Sequence, residues 1–124
     1  MEQLPPIPPL LRKTPEGRSV YHINLTTNGR RFIEIHMDPH CFEGKGKKHI
    51  SPKLIYYFAL KLDNNKTPFI PEDYDDGWEY FAEEEIFSYQ NKPYRLAWCW
   101  QDNGNFIGIR TCTRISKIKK KLKK

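Results

Sequence analysis

The stretch "KPYRLAWCWQDNGNFIGIRTCTRI", residues 92–115, decides the reading of the fold. It is two alternating segments joined at Asn103-Gly104, a dipeptide that favours a tight hairpin turn because both residues accept positive φ. Counting outward from that turn pairs Trp100 with Ile107, Trp98 with Ile109, Leu96 with Thr111 and Tyr94 with Thr113. These side chains share one face, which is apolar and fit for a core. The other face pairs Gln101 with Phe106, Cys99 with Gly108, Ala97 with Arg110 and Arg95 with Cys112, and Arg114 extends it. Arginines standing over small residues are not the Lys, Glu, Thr and Gln of an ordinary solvated strand face. A guanidinium binds phosphate oxygens through paired hydrogen bonds and keeps its proton. The second face is therefore expected to bind phosphate. The competing explanation is an internal ion-pair network with Glu83, Glu84 and Glu85 of the neighbouring segment.

The rest of the chain supplies partners for this hairpin. "SVYHINLTTNGRRFIEIHMD" (19–38) alternates about a second Asn-Gly and reads as another hairpin. Its Tyr21, Ile23, Leu25, Ile33, Ile35 and Met37 are expected to face the core, with His22, Glu34 and His36 on the outer face. "ISPKLIYYFALKLDNN" (50–65) reads as the main helix: Ser51 suits the N-cap, Pro52 the first helical position, and Leu54, Ile55, Phe58 and Leu62 form a stripe. "TPFIPEDYDDG" (67–77) reads as a turn-rich connection, and "WEYFAEEEIFSY" (78–89) as a long strand. The expected fold class is α+β: an antiparallel sheet made of a hairpin, one main helix and a three-stranded meander, with the helix on one face.

Flanking this domain, assigned to 19–115, are a proline-rich arm (1–18) and a basic tail "SKIKKKLKK" (116–124). At 124 residues the chain has room for one core. Its net charge of +6 and pI near 9.2 point to a polyanionic partner, nucleic acid before acidic protein or membrane surface. Three widely spaced cysteines, with no CxxC, make no disulfide framework and suit a reducing cytoplasm. From the opening residues no signal peptide is expected, and no apolar run in the sequence reaches bilayer length. His36, His40, Cys41 and His49 have ligand chemistry, but their spacing matches no structural zinc pattern, so neither metal nor cofactor is expected. P-loop, GxGxxG and G-x-S-x-G motifs are absent.

Two segments carry a family resemblance. In "HCFEGKGKKHIS", His40 is followed eight residues later by Lys48, then by Ile50-Ser51 opening a helix. "YRLAWCWQDNGNFIGIRTCTRI" is similar to a closing hairpin that ends in a basic residue and a threonine. Together they resemble the RelE-like toxin ribonucleases, within the barnase–EndoU–colicin–RelE group, over residues 19–115. Gly44 departs from the pattern, which has a basic residue there. The strand–strand–helix order also departs from the strand-and-helices opening of that group. The resemblance implies metal-independent RNA cleavage through a 2′,3′-cyclic phosphate, which needs a base, an acid and cations for the phosphorane. It implies His40, His49, Lys48, Arg95 and Arg110 as the catalytic set and Lys45, Lys47, Arg114 and Lys117 as RNA contacts. The implied partners are RNA, free or on the ribosome, and an acidic antitoxin. A non-catalytic nucleic-acid-binding module and a protein-interaction domain are the alternatives.

Overall fold

A computed structural model describes residues 4–44, 47, 49–63 and 71–115, apart from the side chains of residues 83–86. Among the described residues seven strands lie in one sheet: β1 (Leu10–Lys13), β2 (Ser19–Thr27), β3 (Arg30–Met37), β4 (Asp73–Asp75), β5 (Trp78–Tyr89), β6 (Lys92–Gln101) and β7 (Phe106–Arg114). Their order is β1-β2-β3-β7-β6-β5-β4. Every neighbouring pair is antiparallel except β3–β7, which run parallel from Glu34–Phe106 to Met37–Ile109.

This overturns the expected fold class. The two hairpins are halves of one mixed, mostly-β sheet, closed by a parallel pairing between strands far apart in sequence. α1 (Pro52–Leu60) is the one α-helix among the described residues. Two strands differ from the expectation. β1 comes from the proline-rich arm, and β4 from the acidic connection; both are short, exposed edge strands with little apolar pattern.

Local chemistry explains the elements. Asn28 and Gly29 take φ of 52° and 75° at the β2–β3 turn, and Gln90 and Asn91 take 53° and 65° at the β5–β6 turn, the geometry of tight hairpins with primed turns. Ser51 Oγ accepts from the Leu54 amide, and Pro52 occupies the first turn of α1. Leu54, Ile55, Phe58, Ala59 and Leu62 join the buried cluster with Ile35, Leu96, Trp98, Trp100 and Ile109. Phe58 meets Phe87 at 5.6 Å and Tyr94 at 5.1 Å. Ile33 is 40% exposed, so it does not serve the core as expected.

The closing hairpin departs from the simple count in two ways. Asn103-Gly104 is not a two-residue turn: four residues separate β6 from β7, and Gly104 N–H donates to the Gln101 carbonyl. Near the turn the expected register holds, with Cys99 opposite Gly108 and Trp98 opposite Ile109. A bulge then inserts Arg110, so that Ala97 meets Thr111, Leu96 meets Cys112, Arg95 meets Thr113 and Tyr94 meets Arg114. One extra residue exchanges the faces of everything beyond it. Cys112 is thereby buried in the core rather than set beside Arg95.

Candidate functional site

Beyond the bulge, Arg114 lies across from Tyr94, and the Ile115 amide donates to the Pro93 carbonyl at 2.9 Å. The end of β7 is thus held against the start of β6. The loop before α1 reaches the same place. Lys47 Nζ donates to the Cys112 carbonyl at 2.7 Å and to Thr113 Oγ1 at 2.9 Å. Its own carbonyl accepts from the Ile50 amide at 2.9 Å, forming the turn that carries His49.

These contacts frame a cavity of about 280 Å³ lined by His49, Lys92, Arg114, Tyr89 and Tyr94, with Leu4, Ser51, Leu54 and Gln90. Among the described residues its charged lining is wholly basic, with no carboxylate. His49, Lys92 and Arg114 are exposed, whereas Tyr94 and Leu54 form a buried floor. Burial raises the Tyr94 phenol above its usual range, with Arg114 opposing that shift. Lys92 and Arg114 repel a metal ion and attract an anion, so the described lining suits an anion.

A second cavity, about 520 Å³, has the opposite character. Glu72, Asp73, Tyr74, Asp75 and Tyr80 surround Arg110 in it. The Arg110 guanidinium lies 4.8 Å from the Tyr80 ring centroid. Arg95 Nη2 lies 3.9 Å from Glu72 Oε1. Arginine surrounded by carboxylates presents little positive potential to a phosphate. Among the described side chains, the acids facing these two arginines belong to β4 and its approach. The side chains of Glu83, Glu84 and Glu85, the partners proposed from sequence, lie outside the described residues.

The predicted site residues therefore divide. His49 and Arg114 come together in the basic cavity. Arg95 and Arg110 stand elsewhere, beside the acidic edge strand. His40 lies in the 3-10 turn Pro39–Phe42 after β3, highly exposed, with Nδ1 2.8 Å from Asp38 Oδ1. That hydrogen bond, and the charges of Asp38 and Glu43, raise its pKa. Lys47 is half-buried and occupied by β7. Lys45, Lys48 and Lys117 lie outside the described residues. Lys92, Tyr89 and Tyr94 are additions; Lys92 beside the 90–91 turn was readable as a strand end, but its meeting with Arg114 depended on the bulge.

The first hairpin's polar cluster joins the sheet through β3–β7. Arg12 holds both Glu34 carboxylate oxygens, at 2.9 and 3.0 Å. Glu34 Oε1 lies 3.0 Å from His36 Nε2. The hydrogen bond from Arg12, then that from His36, brings the Glu34 carboxyl down to about 2. His36 is buried and stacks on Phe106 at 3.9 Å, and burial lowers its pKa. This network ties the exposed Arg12, through Glu34, to a packed and buried His36.

No family model, curated protein or solved structure matches this chain. No helix among the described residues is long and apolar enough to cross a membrane.

Proposed function

We propose that the protein is a metal-independent endoribonuclease of the toxin type, with its reacting centre in the cavity between α1 and the ends of β6 and β7. One observation carries the reading: His49, Lys92 and Arg114 converge there, with no carboxylate among the described lining residues. An imidazole suits proton transfer near neutral pH, and fixed cations stabilise a dianionic phosphorane. In the proposed step His49 takes the 2′-hydroxyl proton as the 2′-oxygen bonds to phosphorus. The phosphorus–O5′ bond breaks, Lys92 protonates the leaving oxygen, and a 2′,3′-cyclic phosphate remains. Arg114 holds the non-bridging oxygens. An acidic antitoxin would cover the same basic mouth. The three buried, free thiols suit a reducing, cytoplasmic setting.

The test is incubation of the purified chain with total RNA in EDTA. Wild type and His40→Ala are expected to cleave, and His49→Ala to lose about 10²–10⁴-fold in rate. Arg114→Ala should also be impaired, while Arg95→Ala/Arg110→Ala retains cleavage if it folds. Full activity in His49→Ala, with loss in the Arg95/Arg110 pair, would move the centre to the other cavity. Salt-dependent binding without cleavage would favour the non-catalytic binding module.

A further inference from the structure

The basic cavity is not uniform. Its lining mixes the cations His49, Lys92 and Arg114 with Leu4, Leu54 and the ring of Tyr89, which lies directly opposite Lys92 on the β5–β6 hairpin. Tyr89 is braced: it meets the Tyr57 ring edge-on at 6.0 Å, and Lys61 Nζ lies 4.7 Å from the Tyr57 centroid. The Tyr89 hydroxyl also receives a long hydrogen bond, 3.4 Å, from Gln90 Nε2 at the rim. An aromatic ring held in place costs little entropy when a second ring stacks on it.

A ligand matching both kinds of lining has a planar, weakly polar part joined to an anion. The cavity volume, about 280 Å³, lies just below the roughly 300–1000 Å³ of sites for drug-sized molecules. It has room for one small unit and none for a duplex. Bases become accessible to such a seat only when out of the stack.

We infer that this cavity seats one unpaired nucleotide, its phosphate toward Arg114 and Lys92 and its base against Tyr89, Leu4 and Leu54, so that the substrate is single-stranded RNA. The inference rests on the cleavage reading for calling the nucleotide a substrate; the seat itself requires no catalysis.

The experiment titrates the full chain with 3′-UMP, uridine, inorganic phosphate and O-phosphotyrosine, by calorimetry and by chemical-shift mapping. Binding of 3′-UMP should exceed that of each other probe by at least about tenfold, with shifts at 49, 89–94 and 114. Arg114→Gln should weaken it about tenfold or more, as should Lys92→Gln, a second variant in case the first does not fold. Tyr89→Leu should weaken 3′-UMP while leaving phosphate unchanged. Equal binding of uridine, tighter binding of phosphotyrosine, or indifference to both cation variants overturns the seat. A parallel assay compares cleavage of an unpaired oligoribonucleotide with the same sequence in duplex. Nucleotide binding as described without cleavage removes the nuclease reading and leaves the seat standing. His49-dependent cleavage that is equal on duplex and single strand removes the seat and leaves the nuclease.

Discussion

Lys47 joins the loop carrying His49 to the strand carrying Arg114: its ammonium donates to the Cys112 carbonyl at 2.7 Å and to Thr113 Oγ1 at 2.9 Å. Cys112 and Thr113 directly precede Arg114, and Lys47 lies two residues before His49. The charge assigned from sequence to RNA contact is engaged inside the protein. It fixes the distance between the proposed base and the proposed phosphate clamp.

Lys47→Met should therefore lower kcat on RNA by about tenfold or more, because misplacement of catalytic groups is costly, while KM and the salt dependence of RNA binding change little. Lys47→Arg should recover part of the rate. Steady-state kinetics at several salt concentrations check this. A weakened affinity, with the salt slope reduced by about one, would return Lys47 to the RNA-contact role.

The Arg12–Glu34–His36 network predicts an acid limit to stability. The Glu34 carboxyl sits near 2, against an ordinary 4.5. Its contribution is complete above the unfolded value and is lost as pH falls toward 2. His36, lowered by burial, acts in the same direction, since the unfolded chain takes up its proton more readily below about 6.5. Thermal melts from pH 7 to pH 2 should show a falling Tm, and Glu34→Gln should flatten the segment below pH 4.5. An unchanged slope in Glu34→Gln would sever the network from stability.

How much was readable follows from which contacts are local. The Asn28-Gly29 turn, the Ser51 cap and the long strand 78–89 are written in adjacent residues, and those readings match the elements. The parallel β3–β7 pairing is not, because nothing in either strand names the other across so long a separation. The bulge leaves a faint trace: Ile109, Cys112 and Ile115 are buried at intervals of three, which strict alternation cannot supply. Reading through that break kept Arg114 on the face of Arg95 and Arg110. The acidic neighbours that β4 sets beside those two arginines were hidden because "EDY" beside β5 carries turn chemistry rather than strand pattern. In the candidate site, His49 and Arg114 were recognisable as residue types; their meeting was a tertiary fact.

Thiol chemistry should be silent in the native protein. Burial pushes Cys41 and Cys112 up to about 12 and Cys99 to about 11. All three are buried, and Cys41 Sγ donates to the Ile109 carbonyl at 3.5 Å. A thiol reagent at pH 8 should label none of them before the chain unfolds, and all three in denaturant. Rapid native labelling of Cys99 would mean that the sheet face above it opens.

The contact between Gly108 and Cys99 offers a sharper test of packing next to the bulge. These residues lie directly opposite each other on β7 and β6, and a Cβ built on Gly108 would come 3.2 Å from Cys99 Sγ. Gly108 has no need of positive φ; among the described glycines only Gly17, Gly29, Gly44 and Gly77 adopt it. Space beside Cys99 Sγ, not backbone freedom, is therefore what limits a side chain here. Gly108→Ala should cost about 1–3 kcal/mol through overpacking. Cys99→Ala removes the sulfur that the new methyl meets, so the double variant should recover most of the loss. Denaturant melts of the two single variants and the double give the coupling directly. Strict additivity would show that the sheet relaxes around the added methyl by another route, and that Cys99 does not set the spacing beside Arg110.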